Sequence, residues 1–287
     1  MNEGQQPSPP TGRFKNILLA TDGSEFSRSA EMLTAAFLLR FGGRVTVMQV
    51  VLFDPGLEPL AFELVQQQEK ITRQSLDEVK ERMKQQGISC NLLIKHGQNP
   101  HQEILDAAVE THADLVVMGR RGRRGLARMM LGDTAARIVA QSPRTVLVVP
   151  RAGGSLWNTS ILLATDGSPF SDRASAEATI LAKESGLPLR VVSVVENKGN
   201  PSHFEAAGAA VERAVEHAKK SGVTVQGAVL EGHPPADIIA DEAYNSQAGL
   251  VVGGSHGRTG FGRVFIGSVM ERLLGKVSCP VLVVKGE

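Results

Sequence analysis

The chain has 287 residues, of which 42% are hydrophobic and 21% are charged, and its formal net charge is +1. This length predicts about two domains of ordinary size, and the composition is typical of a globular protein with substantial cores. A net charge so close to zero excludes the strong positive field by which many proteins bind nucleic acid or an acidic membrane surface.

Predicted strands and helices alternate along the chain. In the first half, short β-branched runs predict strands at about 15–21, 44–51, 88–95, 114–118 and 145–149. The stretches between them predict helices at 26–41, 58–86, 100–112 and 133–141. Strand–helix alternation implies parallel strands joined by right-handed crossovers, with helices on both faces of the sheet. The strands are apolar throughout, as expected for a sheet that is buried on both sides.

The second half repeats this pattern. Residues 16–24 (NILLATDGS) recur as residues 160–168 (SILLATDGS), and the last strand, TVLVV, recurs as PVLVV at 280–284. The second helix of this half is shorter, near 202–221. A repeat of roughly 140 residues has the size of a domain, so we predict a tandem duplication and not a solenoid. The predicted domains are residues 13–150 and 158–287, joined by a linker at 151–157.

The termini and the cysteines predict the protein's location. Residues 1–12 are polar and proline-rich, without the apolar core of a signal peptide, and we expect a disordered tail there. No apolar run approaches the ~20 residues of a membrane span. Cys90 and Cys279 lie far apart with no metal-ligand spacing around them, which indicates buried thiols in a reducing compartment. We therefore expect a cytoplasmic protein.

A long glycine-rich loop follows the fourth strand of each half. In the second half it is residues 254–268, GSHGRTGFGRVFIGS, and a predicted helix follows it. Glycines let a backbone approach an anion closely, and the start of a helix adds partial positive charge, so this arrangement is suited to phosphate. The Ser268 hydroxyl would cap the helix or donate to a phosphate. The alternative is a plain connection in which the glycines only allow the chain to turn.

Ligands of such sheets bind beyond the carboxyl ends of the strands, where the strand order reverses. The ends of the first and fourth strands meet there, so residues 165–168 and the loop at 254–268 are expected to form one pocket. The same reasoning places residues 21–24 beside the loop at 119–132. For Asp22 and Asp166 an Asx-turn without any ligand is the alternative. His256 either contacts a phosphate or faces solvent, and the other histidines show no metal-site spacing.

The motif Gly-x2-Gly-x9-Gly-Ser/Thr after the fourth strand, with Ala-Thr-Asp-Gly-Ser after the first, resembles the universal stress protein family over about residues 13–285. The resemblance implies an α/β fold of two tandem doubly wound domains, each with its own five-stranded parallel sheet of order 3-2-1-4-5. It also implies an adenine nucleotide in the pocket, usually ATP, for which a need for Mg²⁺ stays open. The site residues that it implies in the second half are Ala164, Thr165, Asp166, Gly167, Val194, Gly253, Gly254, Gly257, Arg258, Gly267, Ser268 and Val269.

The first half departs from the motif because Asp133 stands where the second half has Ser268. The two residues are comparable helix N-caps, but a carboxylate repels a triphosphate by about 4 kcal/mol per charge pair at 4 Å and an effective dielectric constant of 20. Five arginines in this loop would offset Asp133, bind phosphate or face solvent; they are Arg120, Arg121, Arg123, Arg124 and Arg128. We expect a weak or empty site here, formed by Asp22, Gly119, Gly122 and Gly132.

The predicted function is that of a nucleotide-dependent sensor or regulator of the stress response, and not of an enzyme. The chain has no Gly-x4-Gly-Lys-Ser/Thr P-loop and no nucleophile paired with a base, so at most slow ATP hydrolysis is expected. One alternative is a ligand-free scaffold that acts through protein contacts. Another is an adenylating α/β enzyme, but neither half has the Ser-Gly-Gly or His-x-Gly-His loop of that class.

The fifth strand of each half is expected to be an exposed apolar edge, which favours aggregation. Pairing residues 145–149 with 281–284 inside one chain would remove both edges. We therefore predict that the two domains pack through their fifth strands, and a homodimer of the whole chain stays open. No nucleic-acid or membrane partner is expected.

Overall fold

The computed structural model describes residues 14–52, 58–122, 131–153, 155–196, 201–256 and 266–285. The strands of the first half are β1 (Asn16–Ala20), β2 (Arg44–Leu52), β3 (Cys90–Gly97), β4 (Leu115–Gly119) and β5 (Thr145–Val149). Its helices are α1 (Arg28–Phe41), α2 (Glu58–Gln85), α3 (Pro100–Glu110) and α4 (Asp133–Gln141). The observed elements follow the predicted ones to within a few residues.

The second half has the same order of elements. Its strands are β6 (Ile161–Ala164), β7 (Leu189–Val195), β8 (Val225–Glu231), β9 (Leu250–Gly254) and β10 (Val281–Val284). Its helices are α5 (Pro169–Ser185), α6 (Pro201–Lys220), α7 (Pro235–Asn245) and α8 (Ser268–Lys276). None of the described helices combines the length and the apolarity needed to cross a bilayer.

The ten strands among the described residues form one mixed sheet, in the order β3-β2-β1-β4-β5-β10-β9-β6-β7-β8. Within each half the strands are parallel and follow the order 3-2-1-4-5. The expectation that each domain has its own sheet is therefore wrong, because the two groups of five strands form one sheet through the pairing predicted for 145–149 and 281–284. β5 and β10 pair in antiparallel orientation, with Val148 opposite Val281 and Val146 opposite Val283. This pairing satisfies backbone groups that two separate sheets would leave exposed at their edges.

The starts of α1 and α5 differ although the preceding sequences are the same. Ser168 caps α5, because its hydroxyl accepts a hydrogen bond from the Ser171 N–H, and Pro169 occupies the first turn. In the first half the Ser24 hydroxyl instead donates to Asp22 Oδ1 over 2.6 Å, and Glu25 replaces the proline. Helix α1 consequently begins at Arg28, later than predicted.

Two apolar layers cover the faces of the sheet, and each layer runs through both halves. One lies under α1, α2, α5 and α6, and the other lies under α3, α4, α7 and α8. Trp157, at the end of the predicted linker, is only 5% exposed. Its ring centroid lies 6.1 Å from that of Phe37 and 6.4 Å from that of Phe41, both on α1. The linker therefore ends inside the core that the two halves share.

Candidate functional site

A cavity of about 670 Å³ lies at the carboxyl ends of β6, β7 and β9. Every predicted second-half residue that the structure describes lines it, except Gly167. These lining residues are Ala164, Thr165, Asp166, Val194, Gly253, Gly254, Gly267, Ser268 and Val269. Gly257 and Arg258 lie outside the described residues. The topology therefore brings together the two motifs that are far apart in the sequence.

The Asp-Gly-Ser motif after the first strand forms an Asx-turn in both halves. The Ser168 N–H donates to Asp166 Oδ1 over 3.0 Å, and the Ser24 N–H donates to Asp22 Oδ1 over the same distance. Gly167 occupies the turn with φ 75°, where glycine avoids the strain that a side chain would cause. The geometry of the turn therefore requires Asp, Gly and Ser even when no ligand is bound. Asp166 also lines the cavity, so its structural role leaves room for contact with a ligand.

The first glycine of each loop is required by packing inside the protein. A Cβ atom on Gly254 would lie 2.9 Å from the Phe170 carbonyl carbon, in the first turn of α5. A Cβ atom on Gly119 would likewise lie 2.9 Å from the Phe26 carbonyl oxygen. Both distances are too short for a real side chain. These two glycines therefore let a strand end pack on the segment that begins the first helix of its half, whether or not an anion binds.

The base of the glycine loop is closed by backbone hydrogen bonds. The Gly267 N–H donates to the Ser255 carbonyl over 3.1 Å, and the Gly132 N–H donates to the Arg120 carbonyl over 3.0 Å. Helices α8 and α4 begin directly after these glycines, which occupy the N-cap positions. The expectation that Ser268 and Asp133 are N-caps is therefore wrong, because each is the first residue inside its helix. Ser268 lines the cavity.

The electrostatic potential of the cavity is set by acidic side chains, by imidazoles and by helix N-termini in its wall. The described lining contains the carboxylates Asp166 and Glu196 and the imidazoles His203 and His256, but neither lysine nor arginine. In this described wall one source of positive potential is the N-terminus of α8, whose first N–H groups have no partner within the helix. An anion in the cavity would be stabilised most strongly next to Gly267 and Ser268.

His256 has one ring nitrogen that the described residues leave without a hydrogen bond. Nδ1 lies 3.0 Å from the Ser255 hydroxyl, and the ring packs on Phe170 with a centroid distance of 5.2 Å. Nε2 is buried and has no hydrogen-bond partner among the described residues. Buried polar atoms in proteins are rarely left in this state. A protonated Nε2 would be a suitable donor to a phosphate oxygen.

Sequence reasoning missed a group of residues that line the same cavity. The apolar ones include Val192, Ile239, Met270 and Leu273, and Glu196 and His203 lie beside them. The Glu196 carboxylate is 2.9 Å from His233 Nδ1. Val192 could have been found from the two-residue period of a strand, because it precedes the predicted Val194 by two. The helix residues carried no comparable signal.

The corresponding residues of the first half also lie together, but with different contacts. A Cβ atom on Gly122 would approach Asp22 Oδ2 to 2.8 Å, so this carboxylate lies directly against the loop backbone. The Asp133 carboxylate pairs with Arg137 Nε at 3.0 and 3.1 Å and is 79% exposed. The first half thus has a carboxylate at the start of α4, where the second half has a hydroxyl at the start of α8.

Arg120 fulfils none of the three roles expected for the loop arginines. Its guanidinium donates to the Val277 carbonyl over 2.8 Å and to the Leu274 carbonyl over 3.4 Å, at the C-terminal end of α8 in the other half. Burial, together with the nearby Arg121, lowers the pKa of this group. Arg123, Arg124 and Arg128 lie outside the described residues. Among the residues that the structure describes, no group of His, Cys, Asp and Glu is arranged to hold a metal ion.

The chain resembles known proteins in family, in sequence and in fold. The model of the universal stress protein family matches residues 13–150 and 158–285. Universal stress protein Slr1230 of Synechocystis is 26% identical over 294 residues, which cover 94% of this chain and 99% of that protein. A universal stress protein of Mycolicibacterium smegmatis is 28% identical over 290 residues, with 94% and 96% covered. The crystal structure of a universal stress protein from Archaeoglobus fulgidus has the same fold, with a TM-score of 0.76 at 22% identity, and the match covers 94% of this chain and 96% of that one.

Proposed function

The chain belongs to the universal stress protein family, and we propose that its second half binds an adenine nucleotide, ATP, in the cavity at the ends of β6, β7 and β9. The observation that carries this proposal is the division of the cavity wall. Gly267, Ser268 and His256 form a polar end at the start of α8, and Val192, Val194 and Ile239 form an apolar part. A nucleotide has the same division between phosphates and base.

The size of the cavity agrees with this ligand. Small-molecule sites typically enclose about 300–1,000 Å³ and are mostly apolar with a few oriented polar groups. At about 670 Å³ the cavity lies inside this range. The start of α8 would bind the phosphates through N–H groups, and the Ser268 hydroxyl would add a donor. If Mg²⁺ accompanies the triphosphate, Asp166 is a carboxylate in the described wall that suits it.

We propose a role in binding and regulation, not in catalysis. Thr165 Oγ1 donates to the Ser171 hydroxyl over 3.0 Å, and Asp166 accepts the Ser168 N–H. These polar groups are engaged in holding the turn after β6, and none is poised as a nucleophile beside a base. Nucleotide occupancy would then act by stabilising one conformation of the second half, which a partner of the stress response recognises.

The first half is proposed to bind nucleotide weakly or not at all. Asp133 sits at the start of α4, where the second half has Ser268, so a phosphate bound there would have to approach its carboxylate. At an effective dielectric constant of 20, such a pair of like charges costs about 4 kcal/mol at 4 Å. The pairing of Asp133 with the exposed Arg137 offsets only a small part of that repulsion, since exposed ion pairs contribute little.

Calorimetric titration of ATP into the wild-type protein and two Ser268 variants tests the proposal. Ser268→Thr keeps the hydroxyl and is expected to bind ATP nearly as well as the wild type. Ser268→Asp places a carboxylate at the start of α8 and is expected to weaken binding at least a hundredfold. Absence of any ATP binding by the wild type would overturn the proposal and favour a scaffold that acts through protein contacts. Equal affinity of the Asp variant would place the phosphates elsewhere.

A further inference from the structure

The two halves have different residues at one set of register partners in the sheet, next to the cavity. In the first half Ala20 of β1 lies opposite Met48 of β2 and Met118 of β4. In the second half the equivalent residue, Ala164 of β6, lies opposite Val192 of β7 and Gly253 of β9. Register partners in a parallel sheet point their side chains to the same face. The fourth strand therefore contributes a methionine to this face in the first half and no side chain in the second.

The helix that follows the fourth strand also differs between the halves, but here the second half has the larger side chain. Helices α4 and α8 are both nine residues long and begin at equivalent positions, Asp133 and Ser268. Their third residues are Ala135 and Met270. The first half thus has a methionine on the strand and an alanine on the helix. The second half has a glycine on the strand and a methionine on the helix. Met118 and Met270 are both buried, at 6% and 7% exposure.

The contact between the exchanged residues is direct. A Cβ atom built on Gly253 would lie 2.6 Å from Met270 Cε, so the methyl group rests against the bare backbone of β9. Even alanine at position 253 would force the methionine to move. Met270 and Gly253 both line the cavity, together with Ser268 two residues before Met270. The first turn of α8 therefore carries both a phosphate-side hydroxyl and an apolar side chain into one site.

We propose that Met270 forms the apolar wall on which the base of the bound nucleotide packs, and that Gly253 lacks a side chain to make room for it. This inference rests on the proposed function of the same cavity. A thioether is polarisable and adapts its shape, and it makes favourable contacts with aromatic rings. The first turn of α8 would then contact the phosphates through Ser268 and the base through Met270. A change at Met270 is therefore expected to alter recognition of the base more than recognition of the phosphates.

Titrations with two ligands test this proposal. ATP carries the base, and inorganic tripolyphosphate carries only the phosphate chain. Met270→Ala is expected to weaken ATP binding about tenfold and to leave tripolyphosphate binding within twofold of the wild type. Gly253→Ala is expected to weaken ATP binding at least as much, because it displaces the methionine. The double variant Gly253→Met/Met270→Ala reproduces the arrangement of the first half and should recover ATP affinity to within about threefold.

Matched controls separate this inference from effects on folding and from the proposed function. Met270→Leu conserves the volume and should bind ATP within threefold even if Met270→Ala folds poorly, and Met118→Ala should leave ATP binding unchanged.

If the wild type binds tripolyphosphate and ATP equally, or if Met270→Ala binds ATP as the wild type does, the inference is wrong while the cavity remains a nucleotide site. Parallel loss of both ligands would show that Met270 only holds the helix in place. No binding of either ligand to the wild type would refute the proposed function itself.

Discussion

For single residues, the glycines of the two loops are required for more than one physical reason. Sequence reasoning assigned Gly119 and Gly254 to the approach of an anion. The structure shows that each is required because a strand end packs on the helix that follows the first strand of its half. Asp22 and Asp166 likewise hold Asx-turns through the N–H groups of Ser24 and Ser168. Residues of a ligand-binding motif can thus be required for folding, independently of any ligand.

Gly254→Ala is predicted to destabilise the protein by about 1–3 kcal/mol in the absence of any nucleotide, because the added Cβ atom collides with Phe170. Gly208→Ala is the matched control. Gly208 lies inside α6 with open space around its Cβ position, so alanine there is expected to stabilise by up to about 1 kcal/mol. Urea unfolding measures both free energies. Equal stability of Gly254→Ala and the wild type would contradict the packing explanation.

At the scale of elements, two helices are held at their C-terminal ends by side chains from the opposite half. Arg120 donates to carbonyls at the end of α8. The Lys285 ammonium, directly after β10, donates to the carbonyls of Val139 and Ala140 at the end of α4. The last carbonyls of a helix have no partner within it, and a cation also complements the negative end of the helix dipole. These contacts fix the positions of the helices that begin at Asp133 and Ser268.

Arg120→Ala is predicted to cost about 1.5–3 kcal/mol of the free energy of unfolding, the usual range for hydrogen bonds from a charged group. Arg137→Ala removes an exposed arginine whose partner is Asp133 on the same helix, and it should cost less than about 1 kcal/mol. Chemical denaturation of the two variants compares them directly. A loss of similar size in both would mean that the contact of Arg120 with α8 contributes little.

The pH dependence of stability provides a test for Lys285. Burial lowers the pKa of its ammonium from 10.5 to about 8. Between these two values the unfolded chain binds more protons than the folded one, so the Lys285 contribution to stability rises with pH through this window and is constant below it. The stability difference between the wild type and Lys285→Met should therefore shift in favour of the wild type from about pH 8 to 10.5. Urea unfolding at several pH values measures it, and a constant difference would show that the ammonium is not desolvated.

The bounds of these elements could be predicted from sequence, because apolar periods of two and of about 3.6 residues are local signals. Contacts between the halves have no such signal. The destination of Arg120, the exchange of Met118 for Met270, and the glycine caps at Gly132 and Gly267 all depend on which segments meet in space. The sequence predicts the part of the cavity that the two motifs form at the strand ends. It does not predict the apolar wall that helix residues supply.

At the scale of the whole molecule, the two halves are one folded body. The pairing of β5 with β10 makes the sheet continuous, and both apolar layers extend across the junction. Trp157 packs on α1 of the first half, and its indole N–H donates to the Ser185 hydroxyl at the end of α5. A duplicated fold has therefore kept similar architecture in both halves while their candidate ligand sites have diverged.

This continuity predicts a single cooperative unfolding transition. Trp157 is the only tryptophan of the chain, and it lies at the junction of the halves. Its fluorescence should therefore change at the same urea concentration as the far-ultraviolet circular dichroism of all the helices. Trp157→Phe should lower the midpoint observed by circular dichroism and keep one transition. Two separate transitions in the wild type would mean that the halves fold independently.

We propose that one chain binds one ATP molecule and binds it in the second half. The most direct measurement is the stoichiometry of ATP binding, by calorimetric titration of the wild type, Ser268→Asp and Asp133→Ser. We predict one site on the wild type and none on Ser268→Asp. On Asp133→Ser we predict a second site, in the first half, because the change removes the carboxylate from the start of α4. Two equal sites on the wild type, or one site that survives in Ser268→Asp, would contradict the claim.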